Sequence, residues 1–201
     1  MNKISFRTKE EWLAERKKSL GGSDAAVVLG ISPWKSALEL YTEKIGISED
    51  QEESEAMQWG SYLEEPIANA YQQETKRQLA PRQPFSLVKS VEFPFIHTSL
   101  DREIVADPKR PGVLEIKTAS LFKLEEWKEE VPLPYQVQMQ HALAVTGWAW
   151  GSFAVLIGGQ KFLWTDMQRD ENFISAMLEA EATFWKRVQD HDPPAPDASE
   201  S

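Results

Sequence analysis

The sequence predicts a mixed α/β domain, and three observations support this fold class. Apolar residues recur at helical spacing in the N-terminal third, strand-like segments follow in the middle, and a helix, a hairpin and a long amphipathic helix complete the chain. The length of 201 residues suits one domain over 1–190 with a disordered tail over 191–201. We therefore expect a central mixed sheet flanked by helices, with a helical N-terminal preface.

The N-terminal third is predicted to consist of helices. Thr8-x-x-Glu11 is a capping-box pattern that starts a helix ending near Leu20. Ser23 and Ser36 are predicted to cap two shorter helices, because a serine oxygen accepts from the free amides of a first helical turn.

A long helix is predicted from Met57 to about Leu79, where apolar residues share one face. Pro66 removes one backbone donor, so we expect a kink or a fresh start near Glu65. The acidic run 49–55 precedes this helix and is typical of a solvated loop or a helix start.

The rest of the chain is predicted to alternate strands with helices. Pro134 suits the first turn of a helix, and Gly158-Gly159 suits a hairpin turn. The expected elements are strands over 85–88, 91–96 and 113–117, helices over 121–130 and 134–146, a hairpin of 148–157 with 161–165, and a final helix over 171–189.

Composition and charge exclude several classes of protein. The chain has no cysteine, which excludes disulfides, iron–sulfur clusters and a thiol nucleophile. No apolar run approaches the roughly 20 residues of a membrane helix, and the N-terminus has no signal-like apolar stretch, so we expect a cytoplasmic protein without a membrane partner. A net charge of −10 argues against a passive nucleic-acid coat, but an enzyme needs only a local basic track to bind DNA.

The segment with the clearest chemical pattern is the predicted strand that contains Glu115 and Lys117. Alternate strand side chains share a face, so these two lie about 6.6 Å apart along the strand. Asp101 follows another apolar strand, and Glu64 lies beside the apolar stripe of the long helix. Three carboxylates from separate elements with one lysine are typical of a Mg²⁺ site for phosphodiester hydrolysis. A simple surface ion pair between Glu115 and Lys117 is the alternative.

A predicted helix after this strand adds polar side chains. Tyr135 and Gln138 are i, i+3 neighbours, so both can face the strand end, where an amide can orient water or phosphate without competing for metal. The alternative is an ordinary helix whose glutamines face solvent.

Six motifs in a fixed order allow a comparison with known families. They are Trp12…Arg16…Gly22-Ser23, Gly30-Ile-Ser-Pro-Trp34-Lys35, Trp59-Gly60-x-x-x-Glu64, Ser99-x-Asp101, Leu114-Glu115-Ile116-Lys117 and Tyr135-x-x-Gln138-x-Gln140. In these motifs the chain resembles the phage lambda exonuclease family, the YqaJ-type viral recombinases of the PD-(D/E)XK nuclease superfamily. The resemblance implies a PD-(D/E)XK restriction-endonuclease-like core.

The resemblance also implies a metal site with a catalytic lysine. Mg²⁺ is the expected ion, Mn²⁺ is expected to substitute for it, and Ca²⁺ is expected to allow binding but inhibit chemistry because its looser coordination misplaces the water. Lys117 would position and activate the attacking water. The implied ligands are Asp101, Glu115 and the Ile116 carbonyl, with Glu64 as an outer or second-metal ligand, while Gln138 would lie beside the water or lysine and Tyr135 would support it.

Further positions are implied to bind DNA. Arg16, Ser23 and Ser99 match the residues that grip a 5′-terminal phosphate. Lys123 stands where the lambda-type pattern has arginine, so a bidentate contact becomes a single-point one. The other expected DNA contacts are Lys35, Gln140 and Trp34, the last by stacking on a base or wedging a duplex end.

The motif around the first aspartate departs from the family pattern. Leu100 stands where the family has proline, and the separation from Asp101 to Glu115 is longer. Asp107 is therefore a rival metal ligand. We prefer Asp101, which follows an apolar strand, whereas Asp107-Pro108 is the better turn signal. His97 and His141 are predicted to be packed rather than metal-binding.

The implied function is a Mg²⁺-dependent 5′-to-3′ exonuclease, phage or prophage encoded, that degrades linear double-stranded DNA. It would leave 3′ single strands for an annealing protein and would act as a ring-shaped homotrimer around its substrate. The alternatives are a structure-selective or restriction-type endonuclease on the same fold, and a catalytically inactive module that binds DNA or a partner.

Overall fold

The computed structural model describes residues 1–48, 54–105 and 111–195. The elements follow in the order β1 (Asn2–Ser5), α1 (Lys9–Arg16), α2 (Gly22–Val28), α3 (Ala37–Lys44), α4 (Glu55–Thr75), β2 (Ser86–Lys89), β3 (His97–Thr98), β4 (Arg102–Ile104), β5 (Gly112–Ala119), a 3-10 turn (Leu121–Lys123), α5 (Leu124–Glu129), α6 (Leu133–Thr146), β6 (Trp150–Ile157), β7 (Lys161–Gln168) and α7 (Glu171–Asp190). The acidic run at 49–53, the rival ligand Asp107 and the tail residues 196–201 lie outside the described residues.

Two sheets organise the strands. The larger has the order β4-β5-β6-β7, in which β5 and β6 are parallel and the outer pairings are antiparallel. The smaller is antiparallel with the order β1-β2-β3. The predicted fold class, a mixed sheet flanked by helices, is confirmed.

Helices cover both faces of the larger sheet, because β5 and β6 carry apolar side chains on both sides. Leu114 and Ile116 of β5 pack with the α4 residues Ile67 and Tyr71. Val113, one position out of phase, joins the core formed by α2, α6 and α7 on the opposite face. Glu115 and Lys117 alternate with Leu114 and Ile116, so they share the α6 face.

Helix starts agree with the prediction where a side chain caps the helix. The Thr8 and Ser36 oxygens accept from the Glu11 and Glu39 amides, at the starts of α1 and α3. The prediction for α2 is wrong: Gly21 is its N-cap, the Asp24 carboxylate accepts from the Gly21 amide, and Ser23 lies inside the first turn.

Other boundaries also differ from the prediction. Helix α1 ends at Arg16 instead of near Leu20. Helix α4 runs unbroken through Pro66, which lies inside it. The segment 91–96 is not a strand, and the two-residue β3 begins at His97.

The later elements match the prediction within a few residues. Helix α6 ends where Gly147 adopts a left-handed conformation, with φ of 72°, which glycine tolerates without steric cost. The β6–β7 hairpin turns at Gly158-Gly159, and Asp170 caps α7. Among the described residues no helix has the length and apolar character to cross a membrane.

Candidate active site

The candidate site forms where β5 extends beyond its partner β4. The ladder between them pairs Arg102 with Leu114 and ends there. Two residues further on, the Ile116 amide donates instead to Asp101 Oδ2, at 2.7 Å. The N–H and C=O of one strand residue point to the same side, so the Ile116 carbonyl faces Asp101 as well. This geometry gathers a carboxylate and a peptide oxygen at one sheet edge.

Glu115, Lys117 and Gln138 form a closed set of hydrogen bonds beside this edge. The Lys117 ammonium donates to Glu115 Oε1 at 2.7 Å and to Gln138 Oε1 at 3.2 Å. The Gln138 amide donates to the same Glu115 oxygen at 2.6 Å. Glu115 is buried, so this is no surface ion pair of the kind left open above.

Aromatic rings form one wall of the site. Lys117 Nζ lies 5.0 Å from the centre of the Tyr135 ring, a cation–π contact. Tyr135 is stacked on Trp127 at 5.4 Å and lies 5.6 Å from Trp34. Trp34 is 65% exposed, so an aromatic surface reaches from the lysine to solvent.

The charged groups of the site shift the pKa values of Asp101 and Lys117. Burial and the nearby Glu115 carboxylate raise the pKa of Asp101 to about 8. Burial alone would lower the pKa of Lys117, but the Glu115 and Asp101 carboxylates outweigh it and raise that pKa above its ordinary value. Lys117 is therefore held as an ammonium group.

A divalent cation fits this donor set. Asp101, Glu115 and the Ile116 carbonyl are hard oxygen donors of the kind Mg²⁺ prefers, and a bound cation would relieve the repulsion between the two carboxylates. Within 1–48, 54–105 and 111–195, no three His, Asp or Glu side chains form a ready metal cluster. The set therefore consists of two carboxylates and a peptide oxygen, with places left for water and phosphate.

Glu64 is close enough to Asp101 to contribute to its raised pKa, yet its own carboxylate is already engaged. Glu64 Oε1 accepts from Arg102, and Glu64 Oε2 accepts from Arg82 at 2.9 Å. Sequence reasoning missed Arg102. The only signal was a charged residue directly after Asp101.

The two predicted phosphate-binding serines, Ser23 and Ser99, are close in the chain to residues of the site. Gly22 packs tightly on Gln138, because an added Cβ would lie 3.1 Å from Gln138 Cγ, and Ser23 beside it is exposed. The Ser99 hydroxyl is buried and has no hydrogen-bond partner in the described part of the chain. A phosphate oxygen would satisfy such a hydroxyl. Arg16 lies over the Trp12 ring at 4.5 Å.

The remaining predicted DNA contacts have other partners. Lys35 pairs with Glu43 at 2.5 Å, and the exposed Lys123 pairs with Glu126 at 2.8 Å. The structure does not bring Gln140 to the site. Its buried amide donates to the Gln168 carbonyl at 2.8 Å and accepts from the Asp170 amide at 3.0 Å, which joins α6 to the β7–α7 turn.

Both histidines that were predicted to be packed are buried. His97 Nδ1 lies 2.8 Å from Ser19 Oγ, and the His97 carbonyl accepts from His141 Nε2 at 2.8 Å. His141 Nδ1 lies 2.7 Å from Glu181 Oε1. A further buried pair, Asp24 with Lys44 at 2.7 Å, holds the turn before α2 and was not foreseen.

Solved structures share this fold. An alkaline exonuclease (LHK-Exo) from Laribacter hongkongensis superimposes with a TM-score of 0.75 at 22% identity, over 92% of this chain and 94% of its own. A phage related exonuclease from Haemophilus somnus 129PT gives 0.62 at 14% identity, over 86% and 94%. These matches define the class as an α/β domain with the fold of these exonucleases.

Sequence comparison defines the family. The model of the YqaJ-like viral recombinase domain matches residues 11–149, and the chain belongs to this family. The protein YqaJ of Bacillus subtilis (strain 168) is 40% identical over 204 residues, which cover 98% of this chain and 62% of that protein. The chain thus spans less than two thirds of the length of this relative.

Proposed function

We propose that this protein is a Mg²⁺-dependent deoxyribonuclease that degrades linear double-stranded DNA from 5′ ends and leaves 3′ single strands. The observation that carries the proposal is the joined set of Glu115, Lys117 and Gln138 beside Asp101 at the end of β5. Membership of a viral recombinase family supports a role in recombination, and the shared fold of two exonucleases supports the reaction class.

Each residue of the set has a distinct task in this proposal. Asp101, Glu115 and the Ile116 carbonyl would hold the ion, which when bound acts as a Lewis acid on the scissile phosphate and its attacking water. The Lys117 ammonium would donate to that water or to a phosphate oxygen and stabilise the negative charge that develops there. Gln138 holds the Lys117 and Glu115 side chains in position through two hydrogen bonds.

DNA contacts follow from the surroundings of Lys117. The Ser99 hydroxyl, which has no hydrogen-bond partner among the residues described, and the exposed Ser23 would donate to a 5′-terminal phosphate together with Arg16. Trp34 would stack on a terminal base, because its ring is exposed and backed by Tyr135. Lys35 and Lys123 would contact the DNA backbone by exchanging their glutamate partners for phosphate groups.

The proposal includes an assembly and a partner. A homotrimeric ring would place its basic side chains toward a central channel, which would reconcile DNA binding with a net charge of −10. The 3′ strands would be passed to a single-strand annealing protein.

The deciding experiment compares linear with closed-circular duplex DNA, each with Mg²⁺ or with a chelator. We expect loss of the linear duplex only, and only with Mg²⁺. Cutting of the circle would favour the endonuclease alternative, and no cutting of either would favour the inactive binding module.

End polarity is tested separately with duplexes that carry either a 5′-phosphate or a 5′-hydroxyl. Each duplex has a label on the 3′ end of the complementary strand, at the same end of the duplex. Faster digestion of the phosphorylated duplex, with the 3′ label retained on long strands, is the expected result. Equal digestion rates for the two duplexes would remove the phosphate pocket from the proposal.

A further inference from the structure

The buried arginine Arg102 lies at the edge of the proposed metal site and has no role in the chemistry derived above. It is the first residue of β4, directly after Asp101, and it is 4% exposed. Its guanidinium donates to Glu64, to Glu65 Oε2 at 2.5 Å and to the Asp101 carbonyl at 2.5 Å. A buried guanidinium stays charged and needs such partners.

Glu64 approaches the site from the side opposite to Glu115. Helix α4 packs on the Leu114 and Ile116 face of β5, whereas Glu115 points to the face of α6. Both oxygens of Glu64 are used by guanidinium groups, Oε1 by Arg102 and Oε2 by Arg82. The described residues contain no cluster of three acidic or histidine side chains that would join Glu64 to Asp101 and Glu115.

These contacts give Glu64 the positive partners that a second metal ion would otherwise supply. Arg82 is half-exposed and can be replaced by solvent, but Arg102 is enclosed by the sheet and by α4. Because Glu64 is only 15% exposed, the Arg102 guanidinium cannot leave without breaking its ion pair with a largely buried carboxylate.

We propose that the Asp101–Glu115 pocket of the free protein binds a single divalent ion, and that Arg102 is a positioning residue that keeps Glu64 from acting as a ligand of that ion or of a second one. This inference rests on the proposed function, because it presupposes an ion in that pocket. It replaces the expectation that Glu64 is an outer or second-metal ligand.

The test counts Mn²⁺ ions bound to the full chain without DNA, by the electron paramagnetic resonance signal of the free ion. We expect one ion per chain. The double variant Glu64→Gln/Arg82→Gln removes the Glu64 carboxylate, keeps the net charge, and leaves Arg102 bound to Glu65. Its affinity should stay within about threefold of the wild type, because the overall charge near the pocket is preserved.

Two further variants supply the controls. Glu115→Gln should weaken Mn²⁺ binding by at least about tenfold, because it removes a ligand. Arg102→Gln should release Glu64 and raise the count to two ions, and Arg102→Gln/Glu64→Gln should return it to one. Circular dichroism establishes that each variant is folded, and if Arg102→Gln is not, the Glu64→Gln/Arg82→Gln result decides alone.

The outcomes separate this inference from the function on which it rests. Two ions in the wild type, or a tenfold or greater loss of affinity in Glu64→Gln/Arg82→Gln, would overturn the role of Arg102 and leave the nuclease proposal standing. No bound ion, or binding that ignores Glu115→Gln, would overturn both.

Discussion

Lys117 is the residue on which the proposed chemistry depends most. It is held as an ammonium by Glu115, Gln138 and the face of Tyr135, so its position is set before substrate arrives. We expect Lys117→Ala to lower the single-turnover cleavage rate by at least about a thousandfold, because a pre-positioned charge at the reacting phosphate is lost.

Binding measurements on the same variant separate catalysis from folding. Mn²⁺ and DNA should still bind to Lys117→Ala, as measured by titration and fluorescence anisotropy. Lys186→Ala, which alters an exposed lysine on α7, serves as the matched control and should cleave normally. Normal cleavage by Lys117→Ala would remove this lysine from the mechanism.

Trp34 is the exposed end of the aromatic wall. Trp34→Ala should weaken binding to a duplex end by about 1–3 kcal/mol, the usual contribution of one stacked base. Trp34→Phe retains a ring and should recover most of the affinity. If both variants bind DNA like the wild type in anisotropy titrations, Trp34 does not stack on DNA.

Glycines show how closely the elements approach one another. An added Cβ at Gly112, the first residue of β5, would lie 2.7 Å from the buried Trp150 ring. Gly112→Ala should therefore lower the free energy of unfolding by about 1–3 kcal/mol.

Gly60 of α4 provides the opposite expectation. Among the described residues, a Cβ at Gly60 would meet only Thr118 Oγ1 at 3.8 Å, an ordinary contact. Gly60→Ala should raise the free energy of unfolding by about 0.5–1 kcal/mol, because alanine has the higher helix propensity. Urea unfolding of both variants checks the pair, and the same sign for the two would contradict the packing described here.

The buried histidines make the stability of the whole molecule depend on pH. Burial lowers the pKa of His97 to about 3, whereas in the unfolded chain it titrates near 6.5. Between these values the unfolded state binds the extra proton, so the free energy of unfolding falls as the pH falls below about 6.5. At pH 5 the loss from this one group is about 2 kcal/mol.

Comparison with His97→Gln isolates this contribution. The wild type should lose about 2 kcal/mol more than the variant between pH 7.5 and pH 5 in denaturant titrations. His141 changes the stability in the opposite direction. Burial alone would lower its pKa, but its pair with Glu181 raises it, so the stability that this pair contributes is lost as the pH rises. His141 is present in both proteins and cancels, so equal pH slopes would contradict the burial of a neutral His97.

Local patterns in the sequence were sufficient for several elements and for the centre of the site. Hydrophobic periodicity and capping predicted α3, α6 and α7, and the two-residue period of a strand placed Glu115 and Lys117 on one face. These features depend on neighbours within a few positions along the chain. Asp101, at the end of an apolar segment, and Gln138, an i, i+3 neighbour of Tyr135, were also proposed from local patterns, and the structure brings them within hydrogen-bond reach of β5 and Lys117.

Tertiary structure decided the features that depend on contacts between residues far apart in the chain. Strand β4 is too short to show a period, and the pairing of Arg102 with Glu64 joins residues 38 positions apart. Gln140 appeared in a DNA-binding motif, yet folding turned it toward the β7–α7 turn. Sequence alone thus determined which residue types could do the chemistry. Burial and pairing between distant segments decided which of them face the site, because the cost of burying a charge depends on the partner that folding places beside it.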